Sequence, residues 1–115
     1  MDLRLKRAYE PPAREDGCRV LVDRVWPRGV SKDALQLDLW LREIAPSAAL
    51  RKWFGHEVAN WAGFQQRYRQ ELQAADAELQ VLRERMRQGT VTLVYGAKDE
   101  AHNQAVVLRD YLLAD

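Results

Sequence analysis

The chain has 115 residues, 47% hydrophobic and 30% charged, and its 18 basic and 17 acidic residues leave a formal net charge of +1. That composition suits one globular domain, gives no general attraction for polyanions, and contains no apolar run near the ~20 residues a membrane span requires. A single cysteine, Cys18, excludes an internal disulfide and a thiolate zinc cluster, and the start MDLRLKRAYEPP has no apolar signal core, so a cytoplasmic protein with no membrane partner is expected.

DLRLKRAYE sets Leu3 and Leu5 against Arg4 and Lys6, the alternation of a half-buried strand. Pro11 and Pro12 then open a loop. RVLVDRV joins Val20, Leu21 and Val22 without alternation, and TVTLVYGA, residues 90–97, has the same character. Such runs suit strands covered on both faces. Between them the pattern is helical. Ser31 can cap a helix to about Leu41, with Leu37, Trp40, Leu41 and Ile44 on one face. Ser47 can cap AALRKWF, where Leu50, Trp53 and Phe54 fall at i, i+3 and i+4 and Gly55 is the stop.

A long stripe follows: Val58, Trp61, Phe64, Tyr68 and Leu72, then Leu79, Leu82 and Met86, with Arg67 and Glu71 placed to pair on the exposed side. An unbroken helix here would run ~45 Å and overhang a domain whose radius of gyration should be ~13 Å. A break near Ala74–Asp76 is therefore predicted, with Asp76 capping the second piece and Gly89 ending it. The last helix is HNQAVVLRDYLL, with Asp99 as its N-cap and Ala101, Ala105, Leu108 and Leu112 on one side. The order predicts a single α/β domain over residues 1–115, built on a small, mainly parallel, Rossmann-like sheet flanked by helices. The first connection is short for a parallel crossover, which leaves the direction of the first strand open.

Ligands of open α/β sheets bind beyond the carboxyl ends of the strands. Two such ends are legible: Asp23-Arg24-Val25-Trp26-Pro27-Arg28-Gly29 and Tyr95-Gly96-Ala97-Lys98-Asp99-Glu100. Arg24 and Arg28 offer planar forks for phosphate or carboxylate, and Lys98 adds a point charge. His102 and Asp23 are the acid/base candidates, Tyr95 and Asn103 can orient a ligand, and Gly29 and Gly96 permit close backbone approach. Arg51 and His56, at the end of the short helix, can fold over the cleft as a lid, with Trp53 able to stack on a planar ligand. Trp40 and Trp61 fall on apolar stripes and read as core, while Trp26 and Pro27 read as packing and turn residues.

There is no G-x-G-x-x-G, no phosphate-binding G-x-x-x-x-G-K-[ST] and no G-x-S-x-G, and His56 and His102 lack partners at metal spacing. No cofactor and no metal are expected. The function that follows is a cationic cleft for a small anionic ligand, phosphate- or carboxylate-bearing and with nucleotides included; hydrolysis or group transfer would suit it. The alternative is a non-catalytic nucleic-acid-associated or protein-interaction module using Arg51, Lys52, Arg83, Arg85 and Arg87; nucleic acid is not favoured, because no base-reading helix is evident. Oligomeric state is not legible.

Four stretches, DGCRVLVDRVWPRGVSKD, APSAALRKWFGH, FQQRYRQEL and VTLVYGAKDEAHNQAVVL, together resemble the YeaO-like branch of the family called domain of unknown function 488. The resemblance runs in order from about Leu3 to Leu113. It implies a small bacterial α/β protein and leaves activity open. Asp23-Arg24 and Pro27-Arg28 match the family's pattern after the second strand. The broader family's last strand leads into Cys-His-Arg, whereas Glu100-Ala101-His102-Asn103-Gln104 here keeps only the histidine, so cysteine chemistry is not implied.

Overall fold

A computed structural model describes residues 2–114. Its main elements are β1 (Leu3–Arg7), β2 (Cys18–Leu21), α1 (Lys32–Leu35), β3 (Leu39–Trp40), α2 (Ala48–Phe54), α3 (Trp61–Leu72), α4 (Asp76–Gln88), β4 (Val91–Tyr95) and α5 (Gln104–Leu113). Among the described residues the strands form one sheet in the order β1-β4-β2-β3, and every neighbouring pair is parallel. The first strand is thus parallel to the rest. Its short connection suffices because ten extended residues reach ~33 Å. A five-residue strand of ~17 Å and two inter-strand steps of ~4.8 Å need less. Gly17 closes that connection at φ +63°, and a Cβ there would lie 2.3 Å from the Thr90 carbonyl oxygen. Only glycine fits where the returning chain pairs with the start of β4.

The register explains the uninterrupted apolar runs. Leu3, Val91 and Cys18 lie side by side, as do Leu5, Leu93 and Val20, and these residues join the main core with Phe64, Tyr68, Leu72, Leu79, Leu82, Met86 and Leu108. The opposite face carries Lys6, Val94 and Leu21 in register, and there Leu21 and Val94 pack with Ala8 and Leu35. Helices cover one face; a loop and a single helical turn cover the other. Both faces are closed, and β2 and β4 can be apolar throughout.

Three sequence expectations need correction. The helix capped by Ser31 ends at Leu35, not Leu41, because Gln36 takes a left-handed conformation at φ 49°. Leu39 and Trp40 then pair with Val20 and Leu21 as an edge strand, so Leu37, Trp40, Leu41 and Ile44 do not share a helix face. The predicted break between α3 and α4 is present, but the N-cap of α4 is Ala75 and no side chain caps it. Asp76 instead places a carboxylate in the first turn, favourable toward the helix dipole. Finally, Arg67 and Glu71 do not pair. Arg67 lies over the Trp53 ring at 3.8 Å, and Glu71 accepts hydrogen bonds from the Ser47 backbone N–H (2.8 Å) and hydroxyl (2.6 Å).

Ser47 caps α2 as predicted, accepting from the Leu50 N–H, and Gly55 ends that helix in the left-handed region. Glu71 therefore ties α3 to the cap of α2. Glu71→Ala is expected to cost about 2 kcal/mol through these charge-assisted bonds, measured as a lowered urea midpoint with an unchanged slope.

Candidate functional site

The carboxyl ends of β2 and β4 are neighbours, and a cavity of about 320 Å³ opens beside them. Asp23, Arg24 and Val25 border it from the β2 end, and Gly96, Ala97, Asn103 and Gln104 from the β4 end and the start of α5. Arg51, Phe54 and His56 approach from α2 and the turn after it, while Ala45, Pro46 and Phe64 complete the walls.

Asp23 is the central group. One carboxylate oxygen accepts from the Gly96 N–H at 2.8 Å, and the other accepts from the Gln104 side-chain amide. A Cβ at position 96 would lie 3.0 Å from that first oxygen, so Gly96 is what lets the carboxylate come so close. The Trp40 indole donates to the Asp23 carbonyl at 2.8 Å and fixes the backbone. Burial pushes the Asp23 carboxyl up to about 6, against the opposing effects of the Gly96 and Gln104 hydrogen bonds and the charges of Arg51 and His56.

Arg24 does not pair with Asp23. Its Nη2 donates to the Ala45 carbonyl at 2.9 Å, Nη1 stands 3.6 Å from the well-exposed Glu43 carboxylate, and Nε is buried without a partner. An exposed pair at that distance neutralises little charge, so the guanidinium keeps most of its positive field at the cavity wall. Arg51 forms no ion pair among the described residues. His56 adopts φ +57° directly after Gly55, and this reversal turns the chain back toward the cavity. The two residues expected as a lid do border the cleft.

Other candidates stand elsewhere. Arg28 is exposed and outside the cavity lining; its carbonyl accepts from the Tyr9 hydroxyl at 3.1 Å. Lys98 is exposed and also outside the lining. Tyr95 is buried at 2% exposure within the core, and burial raises its phenol above the ordinary value. His102 does not line the cavity: its Nδ1 lies 2.9 Å from Asp99 Oδ2, and its ring meets Trp61 edge-on at 5.1 Å. Trp53 is covered by Arg67 rather than open for stacking. Trp61 is partly buried against the main core, and Trp40 packs on the opposite face with Trp26 edge-on at 5.3 Å.

The α5 cap also differs from expectation. Asn103, not Asp99, is the N-cap, accepting from the Ala105 and Val106 N–H groups while its amide donates to the Asp99 carbonyl. Asp99 caps the preceding turn through Ala101 and His102. Asn103 thereby occupies the helix N–H groups that a free anion site would use. The residue missed entirely is Gln104. Its only signal was its position one residue after a polar cap, at the helix start beyond the β4 end. Among the described residues no His, Cys, Asp and Glu cluster could hold a metal ion, and no helix is long and apolar enough to cross a membrane.

Comparison with known proteins agrees with the resemblance. The family model described as the inactive DUF488-N3 subclade matches residues 2–115. The uncharacterized protein YeaO of Escherichia coli K12 is 44% identical over 112 residues, covering 97% of each chain. Uncharacterized proteins Mb3100c of Mycobacterium bovis and Rv3073c of Mycobacterium tuberculosis H37Rv are each 40% identical, over 96% of this chain and 92% of theirs. No solved structure matches the chain. A family model that spans almost the whole sequence, with relatives this similar end to end, places the chain in the DUF488 family, in its inactive N3 subclade.

Proposed function

We propose that the protein is a binding module for a small anionic molecule, one bearing phosphate or carboxylate, and that it holds this ligand without turning it over. The observation that carries the reading is the convergence of Arg24, Arg51 and His56 on one cavity at the carboxyl ends of β2 and β4. Two guanidiniums and an imidazole border one concave, partly apolar site and offer charge-assisted hydrogen bonds to an anion. The cavity lies at the small end of ligand pockets, which favours a compact metabolite over a whole nucleotide.

Two points favour binding over hydrolysis or group transfer. Of the two acid/base candidates only Asp23 borders the cavity, and the second, His102, is tied to Asp99 outside the lining; the subclade is also described as inactive. A nucleic-acid surface on α4 is not favoured, since Arg85 contacts Cys18 at 3.7 Å and Arg87 pairs with Glu84 at 2.6 Å.

The test is a thermal-shift titration with phosphate, propionate and adenosine monophosphate at constant ionic strength. A ligand at a hundred times its Kd stabilises by ~2.7 kcal/mol, a rise of roughly 10 °C for a domain of this size. Arg51→Ala should weaken that binding at least tenfold and leave the unliganded Tm nearly unchanged, because Arg51 is exposed. A flat screen, or a shift that survives both Arg51→Ala and Arg24→Ala, would count against the cleft.

A further inference from the structure

We infer that the cleft takes an ampholyte: a compact molecule with an anionic group for Arg24, Arg51 and His56 and, a short spacer away, an ammonium group for Asp23. This rests on the anion-binding reading and narrows its ligand class.

The argument starts from the one acidic side chain that borders the cavity, Asp23. A carboxylate in a cationic cleft repels a simple anion, which makes it a poor design for phosphate or acetate alone. It also has unused capacity. A carboxylate offers about four lone-pair directions, and the structure fills one on each oxygen, from Gly96 and Gln104. Both partners hold the carboxylate at the cavity wall and neither neutralises it. Arg24, the adjacent residue in the chain, is directed away to Ala45 and Glu43. An ammonium supplies donors and charge together, and it offsets the burial that otherwise disfavours the ionised acid. Two of the basic groups come from other segments, Arg51 from α2 and His56 from the turn after it, while Arg24 follows Asp23 in the chain and contributes its positive field from the wall where Ala45 and Glu43 hold it. The cleft is therefore bipolar, acidic where β2 meets β4 and cationic around its rim. A cavity near 320 Å³ has room for both charged groups and a short spacer between them.

Matched pairs that differ only in the ammonium group test this. The probes are 2-aminoethyl phosphate against ethyl phosphate, and β-alanine against propionate, titrated calorimetrically at pH ~7.5, where Asp23 is ionised and the amines are charged. The expected result is at least tenfold tighter binding of the ammonium member of each pair. Asp23→Asn should bring the ratio to near one by weakening the ampholyte and strengthening the simple anion. A second readout needs no variant. The pair 2-aminoethanesulfonate and ethanesulfonate has anions that do not titrate, and its ratio should fall as pH drops through the Asp23 transition.

The groups facing Asp23 are Arg51, His56, Arg24 and the buried Tyr68. Repeating the pH series in a His56→Gln background isolates the contribution of Asp23 from that of the imidazole. Equal binding of both members of each pair would overturn the inference and leave the anion cleft standing. A preference that persists in Asp23→Asn would overturn it too, by moving ammonium recognition elsewhere. Binding of neither member would remove the anion cleft itself.

Discussion

Replacing Asp16 with Ala is expected to destabilise the protein by about 3–5 kcal/mol, the cost of leaving a buried charge without its partner. The charge is Arg19, whose side chain is only 4% exposed. Its Nη1 meets Asp16 Oδ2 at 2.7 Å, and its Nε and Nη2 both donate to the Leu35 carbonyl. Asp16 also accepts from Lys6 Nζ at 3.1 Å and from the Ala13 N–H at 3.0 Å. Remove the carboxylate and Arg19 keeps a carbonyl but no counter-charge, on the thinly covered face of the sheet. Burial alone would raise the Asp16 carboxyl, yet the Ala13 N–H, Lys6 and Arg19 together hold it below the ordinary value. A depressed carboxyl stabilises above its unfolded pKa and loses that stabilisation as pH falls through its folded one. The wild type should therefore lose stability steeply in the acid range, and Asp16→Ala should show a flatter acid limb from a lower plateau. Urea midpoints across pH measure both. A loss under 1 kcal/mol at neutral pH would mean that Arg19 finds another partner or water.

That network marks the limit of what local pattern can convey. The apolar face of the sheet was legible, because Leu3, Leu5, Val20, Leu93 and the α3–α4 stripe carry their periodicity openly. The break at residues 73–75 was legible too, from the mismatch between helix length and domain size. Arg19 stands at the start of the second apolar run, and nothing local tied it to Asp16, Lys6 or Leu35. β3 was missed for a related reason. Leu37, Trp40, Leu41 and Ile44 have helical spacing, but a two-residue edge strand has no period of its own. It exists because Val20 and Leu21 offer a free edge. Tertiary pairing overrode a local signal.

The site divided along the same line. Asp23 and Gly96 were legible as strand-end residues, and the adjacency of β2 and β4 brought them into hydrogen-bond contact. Arg51 and His56 reached the cleft because the Gly55–His56 reversal directs the chain that way. Arg28, Lys98 and His102 were chosen on proximity in sequence to those ends, and proximity does not fix direction. Arg28 is the second residue of the turn closed between Pro27 and Val30, and His102 is drawn to Asp99 by a hydrogen bond three residues away. Gln104 went unremarked because a glutamine at a helix start carries no signature until a partly buried carboxylate is placed opposite it.

Asp23→Asn is expected to raise stability at neutral pH while removing the cleft's preference for an ammonium-bearing ligand. In the folded protein the Asp23 carboxyl is raised to about 6, well above its ordinary 3.8. A difference near two pK units corresponds to about 3 kcal/mol at ~1.4 kcal/mol per unit. The sign follows from proton binding. Between those two values the folded state holds the proton more tightly than the unfolded state, so stability falls as pH rises through that range and then levels off. At neutral pH the wild type carries that full cost, which asparagine avoids with nearly the same shape. The asparagine oxygen can still accept from the Gly96 N–H, and Gln104 can rotate its amide to accept from the new NH₂ group. Thermal melts should therefore separate the two proteins by up to roughly 10 °C above pH ~7 and converge below pH ~4. If Asp23→Asn melts lower than wild type at neutral pH, the carboxylate is a structural tie between β2 and α5. If it melts higher, the partly buried carboxylate lowers the stability of the fold that holds it, the trade-off expected of a group placed for binding rather than for folding.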